Sequence, residues 1–175
     1  MNCGAYGSEM KDVVESSLVL GSDGEIAAIK ARQHGFAYRH SNLMDNGDIV
    51  LATTFALTPD DPADIAARME QLMARRREKQ PLNLPSAGST FKRPQGGFAA
   101  QMIDEAGLKG ARVGGAMVSE KHAGFLVNAG GATAADMLSL MQLVRERVAQ
   151  RTGVTLEPEV RFVGRPMEGS DVLYK

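Results

Sequence analysis

The chain has 175 residues, 43% of them hydrophobic, which is enough for one sizeable core or two small ones. Its 20 basic and 21 acidic residues leave a formal charge of −1, so no general field draws nucleic acid or an anionic membrane, and neither partner is expected. No apolar run approaches the roughly 20 residues of a bilayer span, no export signal opens the chain, and the sole cysteine, Cys3, rules out an intrachain disulfide or thiolate zinc cluster. A soluble, cytoplasmic protein is the expectation.

The chain opens on a glycine-rich turn, Asn2-Cys3-Gly4-Ala5-Tyr6-Gly7, with no preceding element to position it. Clustered glycines serve close backbone approach or positive φ, and neither use suits a frayed end, so missing upstream sequence is expected. Asp12–Leu20 and Glu25–Ala31 flank Gly21-Ser22-Asp23-Gly24 and predict a hairpin, and the β-favouring run in Asp48–Leu57 predicts a third strand. Asp61 as cap and Pro62 in the first turn start a helix expected to reach about Lys79, with Ile65, Met69 and Leu72 as its apolar stripe and Arg75, Arg76, Arg77 and Lys79 at its negative end.

Pro81 and Pro85 stop that helix, and a boundary between modules 1–80 and 81–175 is expected there. Beyond it, Phe98–Ala106 reads as a short helix, and Arg112–Val118 and Gly124–Asn128 read as paired strands. Thr133 and Asp136 form a capping box for a helix with Met137, Leu140, Met141, Val144 and Val148 at helical spacing, closed by Gly153. Val154–Val163 reads as a final strand. The expected class is α+β: the end of an α/β domain followed by a small α+β domain.

Three segments hold more polar or glycine detail than packing requires. In Ala37-Tyr38-Arg39-His40-Ser41, Arg39 either enters a cleft or pairs with an acidic neighbour at the surface. Ser86-Ala87-Gly88-Ser89-Thr90-Phe91-Lys92-Arg93-Pro94 offers backbone N–H groups, hydroxyls and two cations, which suits a diphosphate or a developing oxyanion, although glycine and serine also pair in plain turns. In Leu156-Glu157-Pro158-Glu159-Val160-Arg161, alternation puts Glu159 and Arg161 on one strand face, which is also how a solvent-facing ion pair on an edge strand reads. His34, His40 and His122 lack the spacing of a metal pair, and no metal is expected.

Together these segments resemble one family, the UDP-N-acetylenolpyruvoylglucosamine reductases. Asn2 to Glu9 is similar to the family's "NAGAYG-x-E" turn with Cys3 in place of alanine, Tyr38 to Ser41 to "YR-x-S", and Gly88 to Pro94 to "GS-x-FK-x-P". Gly107 to Gly110 is similar to "GLKG", Val113 to Ala116 to "xGGA", and Leu156 to Arg161 to "LEPEVR". The resemblance implies reduction of UDP-N-acetylenolpyruvoylglucosamine with FAD and NADPH in peptidoglycan precursor synthesis. It implies that Ser89 protonates the carbon next to the substrate carboxylate, and that Arg39 and Glu159 flank that carboxylate.

It further assigns Gly4, Ala5, Tyr6 and Gly7 to the flavin and substrate cleft, Lys92 and Arg93 to the UDP diphosphate, and His122 to a polar edge facing the substrate. The domain end at 1–80 is then the last part of a flavin-binding domain, and 81–175 the substrate-binding domain. The family's amino-terminal flavin-binding segments have no counterpart here, so weak FAD binding and negligible turnover by these residues alone are expected. The stretch between Arg39 and Ser89 contains no tyrosine, which resembles the compact branch without a tyrosine-bearing loop over the substrate. The alternative is a non-catalytic module that binds UDP-sugars; a scaffold assembled through the Met-bearing stripe is the third reading, against Met as ordinary core filling.

Overall fold

The computed structural model describes residues 1–164. The chain divides into two compact units, Met1–Pro62 and Ala63–Lys175.

In the first unit, β1 (Gly4–Ala5) and β2 (Ser8–Glu9) form a minimal hairpin around Tyr6-Gly7. β3 (Val14–Leu20) pairs antiparallel with β4 (Ile26–Lys30), and, past the five-residue helix α1 (Asn42–Asn46), with β5 (Ile49–Phe55), giving the order β4-β3-β5. The three strands are the expected ones, trimmed at their ends where Met10–Asp12 and Ala31–His34 turn into single 3₁₀ turns instead. The interior of this unit is polar as well as apolar. Val14 and Val19 are buried beside Ser17 and His34. His34 sits with Nδ1 3.1 Å from the Lys30 carbonyl, which only accepts, so the proton lies on Nδ1 and Nε2 accepts from the Ser17 hydroxyl at 2.9 Å. Ser17 in turn is 3.0 Å from the Thr53 hydroxyl, and this chain of bonds ties β4, β3 and β5 together.

The helix α2 spans Pro62–Lys79 as predicted, with its cations at the negative end and Lys121 Nζ donating to the Arg77 carbonyl at 2.6 Å. Its expected stripe is not a core face: Ile65 and Met69 are exposed. β6 (Ser86–Ser89), α3 (Ala99–Glu105), β7 (Arg112–Val113), β8 (Ala116–Val118), β9 (Phe125–Asn128) and α4 (Ala134–Thr152) complete the second unit. Its antiparallel sheet runs β6-β9-β8-β7. Leu140, Met141, Val144 and Val148 of α4 pack with Ile103, Ala116, Val118, Leu126 and Leu156 into one core, so Met141 is core filling. Thr133 and Asp136 exchange both capping-box bonds, at 3.1 and 2.9 Å, and Gly153 closes the helix at φ 73°.

Three expectations are corrected here. Arg112–Val118 is a hairpin and not one strand, because Gly114 turns the chain at φ 53°; a side chain on Gly115 would stand 2.3 Å from the Gly130 carbonyl oxygen. Ser86–Ser89, whose glycine and serines also suit a plain turn, is a strand at the end of the sheet's order. Val154–Val163, read as a strand, makes a single bridge among the described residues, Phe91 to Pro158. Pro158 has no N–H to give a ladder, and the bridge places it where none is needed: the bonds run from Lys92 N–H to the Glu157 carbonyl and from Glu159 N–H to the Thr90 carbonyl, both 2.8 Å. Within the described residues, no helix is long and apolar enough to cross a membrane.

Candidate functional site

In the first unit, the candidate residues sit on two tight turns. The β1–β2 turn places Tyr6 at φ 54° and Gly7 at φ 86°, the two positive values that a two-residue hairpin loop requires. Tyr6 is 53% exposed, and nothing crowds the Gly7 α-carbon, so this turn is approachable. Gly4 is needed for a different reason: a side chain there would meet Glu9 Cγ at 2.8 Å across the hairpin.

The second turn is Tyr38-Arg39, closed by the Ala37–His40 bridge with both backbone bonds at 3.2 Å. Arg39 takes the third turn position at φ 54°, where glycine is the usual residue. Tyr6 and Arg39 are the non-glycine residues with positive φ among those described, and each costs about 1–2 kcal/mol over glycine. The Arg39 guanidinium lies 5.5 Å from the Tyr38 ring centroid. Asp45 pairs with His40 at 3.1 Å. Glu9 is held below the ordinary carboxylate range, first by the hydrogen bond from Lys11, then by that from Asn2, with the Arg39 charge adding a smaller pull.

In the second unit, two distant segments are brought side by side. The pairing of β6 with β9 matches Ser86 to Val127 and Ser89 to Phe125, so β6 carries one extra residue in between. Gly88 sits in that bulge at φ 85°, the left-handed position a bulge of this kind assigns to glycine, and Ser89 follows it directly. The Phe91–Pro158 bridge then sets Thr90 opposite Glu159, so Ser89 is the chain neighbour of the residue that faces Glu159. Phe91 points into the core, Glu159 is half-buried, and Ser89 is exposed. An exposed hydroxyl and a half-buried carboxylate on adjoining backbone segments can hand a proton to a ligand and hold that ligand's polar groups.

The two cations after Ser89 are engaged. Lys92 Nζ is 3.2 Å from Glu157, an exposed pair of the kind worth about 0–1 kcal/mol and easily exchanged for a ligand anion. The Arg93 guanidinium stands 4.1 Å from the Phe98 ring centroid, which fixes it at the surface. His122 accepts from Gly124 N–H at Nδ1 (3.2 Å), which puts its proton on Nε2, and burial lowers its pKa from the ordinary value. Next to this edge, Pro85, Ala87, Leu126, Met137, Met141 and Phe162 enclose a mostly apolar cavity of about 440 Å³, with Asn128 and Arg161 as its polar walls. Ser89 and Glu159 do not line it; their neighbours Thr90 and Val160 do. No cluster of His, Cys, Asp or Glu among the described residues could hold a metal ion.

Sequence reasoning missed the Gly88 bulge and the part played by Thr90. The signal for the bulge was Gly88 itself, an interior glycine before a chemically useful residue. No sequence signal ties Thr90 to Glu159.

Residues 80–163 match the family model described as UDP-N-acetylenolpyruvoylglucosamine reductase, C-terminal domain. The chain is 52% identical over 164 residues to the UDP-N-acetylenolpyruvoylglucosamine reductase of Levilactobacillus brevis, covering 94% of this chain and 54% of the relative. It is 51% identical over 164 residues to that of Lachnoclostridium phytofermentans, covering 94% and 53%. It thus spans about half the length of these curated relatives. The crystal structure of the Thermus caldophilus UDP-N-acetylenolpyruvylglucosamine reductase superposes with a TM-score of 0.77 at 38% identity, over 91% of this chain and 56% of that one.

Proposed function

Because the chain belongs to the UDP-N-acetylenolpyruvoylglucosamine reductase family, we propose that it serves the reduction of UDP-N-acetylenolpyruvoylglucosamine to UDP-N-acetylmuramate. The observation that supports the reading is that Thr90, the residue after Ser89, faces Glu159 across the Phe91–Pro158 bridge. A flavin, when bound and reduced, would supply the hydride for the enolpyruvyl double bond. The remaining chemistry falls to side chains.

Reduction at one carbon builds negative charge on the carbon next to the carboxylate, and that charge must be steadied and then quenched by a proton. Ser89 gives the proton. A serine hydroxyl is a weak acid, but the carbon receiving the proton is a strong base, so position outweighs acidity. Arg39 supplies a permanent positive charge for the carboxylate and the charge growing beside it, an effect worth about 3–4 kcal/mol where water is excluded. Glu159 flanks the same group. Lys92 and Arg93 bind the UDP diphosphate, Lys92 by giving up its exposed partner Glu157. His122, neutral near pH 7, offers Nε2–H as a donor to the substrate's polar edge.

The first unit supplies the end of the flavin-binding domain. Its residues fit contact with a flavin more than enclosure of one: Tyr6 has an exposed ring, and Gly7 leaves its α-carbon open, so Gly4 to Gly7 would form one wall of that site.

The test is binding and turnover of UDP-N-acetylenolpyruvoylglucosamine with FAD and NADPH supplied, for the wild type and Ser89→Ala. The reductase reading expects Ser89→Ala to keep substrate affinity within a few-fold and to lower any turnover by about 10²- to 10⁴-fold. Wild-type chain that fails to bind the substrate, or Ser89→Ala that turns it over undiminished, would overturn it. A non-catalytic UDP-sugar module is the second reading, favoured by the two cations beside the small-residue strand; it expects UDP-N-acetylglucosamine to bind and Lys92→Ala to weaken it, with no turnover in any form.

A further inference from the structure

Thr90 occupies the unspecified position of the "GS-x-FK" pattern, so the motif alone gives it no task. In the fold it is 3% exposed and joined by three hydrogen bonds to two separate segments, 124–126 and the one that holds Glu159. Its N–H donates to the Gly124 carbonyl at 2.9 Å. Its hydroxyl oxygen accepts from the Leu126 N–H at 3.2 Å. Its carbonyl accepts from the Glu159 N–H at 2.8 Å. The backbone on one side of it is Ser89, and the backbone across from it is Glu159.

We propose that Thr90 is a positioning residue whose buried hydroxyl, anchored on β9, sets the orientation of Ser89 and its register against Glu159; this rests on the reading of those two residues as working groups. A bulge frees the strand locally, because one residue is left over and the ladder is disrupted there. Ser89 comes immediately after that loosened point, on the strand that ends the order β6-β9-β8-β7 among the described residues. Without a further anchor, the Gly88–Ser89 peptide could slide or rotate. The Thr90 hydroxyl supplies the anchor, because it is a side-chain acceptor one residue past Ser89, bound to a central strand whose residues Phe125 and Val127 are buried. Its buried setting keeps water from competing for the Leu126 N–H. The same residue's carbonyl carries the Glu159 N–H, so a shift of Thr90 moves both groups together.

The test compares Thr90→Val, which keeps the branched shape and removes the acceptor, with Thr90→Ser, which keeps the hydroxyl and removes the methyl. Amide hydrogen exchange and backbone NMR shifts are read at Leu126, Ser89 and Glu159 in the full chain, with α4 amides as the reference for global stability. In Thr90→Val the Leu126 amide is expected to exchange about three- to tenfold faster, with shift changes at Ser89 and Glu159 and no equal acceleration in α4. Thr90→Ser is expected to keep the wild-type pattern at those sites. Unchanged Ser89 and Glu159 signals in Thr90→Val, or acceleration shared evenly with α4, would overturn the proposal. Its failure is distinct from failure of the functional reading. Displaced Ser89 signals in Thr90→Val together with undiminished turnover in Ser89→Ala would leave the positioning role standing and sink the role of Ser89.

Discussion

The two units hold their candidate groups by different means. In Met1–Pro62, Tyr6 and Arg39 sit on two-residue turns in a backbone conformation that favours glycine, beside a sheet whose Ile26, Ile49, Val50 and Phe55 are exposed. Beyond Ala63, Ser89 and Glu159 are set by a bulge and a bridge on a sheet that α4 covers with a continuous apolar core. The difference teaches that a strained backbone is tolerated where the chain turns locally, whereas holding two segments about 70 positions apart in sequence side by side needs a packed scaffold.

The largest break in this comparison should come from the core. Leu140→Ala removes a side chain with no exposure, at a cost of about 2–5 kcal/mol, read as a fall in the denaturant midpoint of the second unit. The matching change in the first unit, Val19→Ala, should cost less, because fewer methyl groups are lost and the surroundings are more polar and exposed. Equal losses would erase the distinction.

Next come the two turn residues. Gly88→Ala meets no atom within contact range but forces a side chain into φ 85°, costing about 1–2 kcal/mol and displacing Ser89. Arg39→Gly should act in the opposite sense on stability, leaving the first unit as stable or up to about 1–2 kcal/mol more so, while weakening affinity for the substrate carboxylate. Thermal melting and substrate titration of the same variant check both halves. A destabilised Arg39→Gly would mean that the arginine is there for the fold.

The smallest effect is in pH. The folded-state pKa of His122 is lowered by burial, so its contribution is complete above the unfolded value of about 6.5 and is lost as pH falls from there towards the folded pKa. His122→Gln should flatten the stability profile of the wild type below about pH 6.5. A profile left unchanged by the substitution would show that His122 is not its source.

Much of the fold was legible because its signals are local. Thr133, Asp136 and Gly153 mark both ends of α4 within the helix itself, and the valines, threonines and isoleucines of β3 and β5 state their own preference. What failed was long-range. Ser86-Ala87-Gly88-Ser89 has little strand propensity and is a strand only because β9 pairs with it. Val154–Val163 has the alternation of a strand, yet Pro158 breaks its row of donors, and among the described residues it forms an isolated bridge. The bonded chain through Ser17, His34 and Thr53 joins three strands and leaves no trace in any window of sequence. The candidate site was legible only as motifs: resemblance named Arg39, Ser89 and Glu159, and the backbone pairing shows only that the residue after Ser89, Thr90, faces Glu159.

The most direct test of the central claim is an NMR titration of the chain with UDP-N-acetylenolpyruvoylglucosamine, set against UDP-N-acetylglucosamine, which lacks the enolpyruvyl carboxylate. The account predicts that both ligands perturb the amides of Lys92 and Arg93, and that only the enolpyruvyl compound also perturbs Ser89, Glu159 and Arg39. Identical perturbations from the two ligands, or an enolpyruvyl response that spares Ser89 and Glu159, would contradict it.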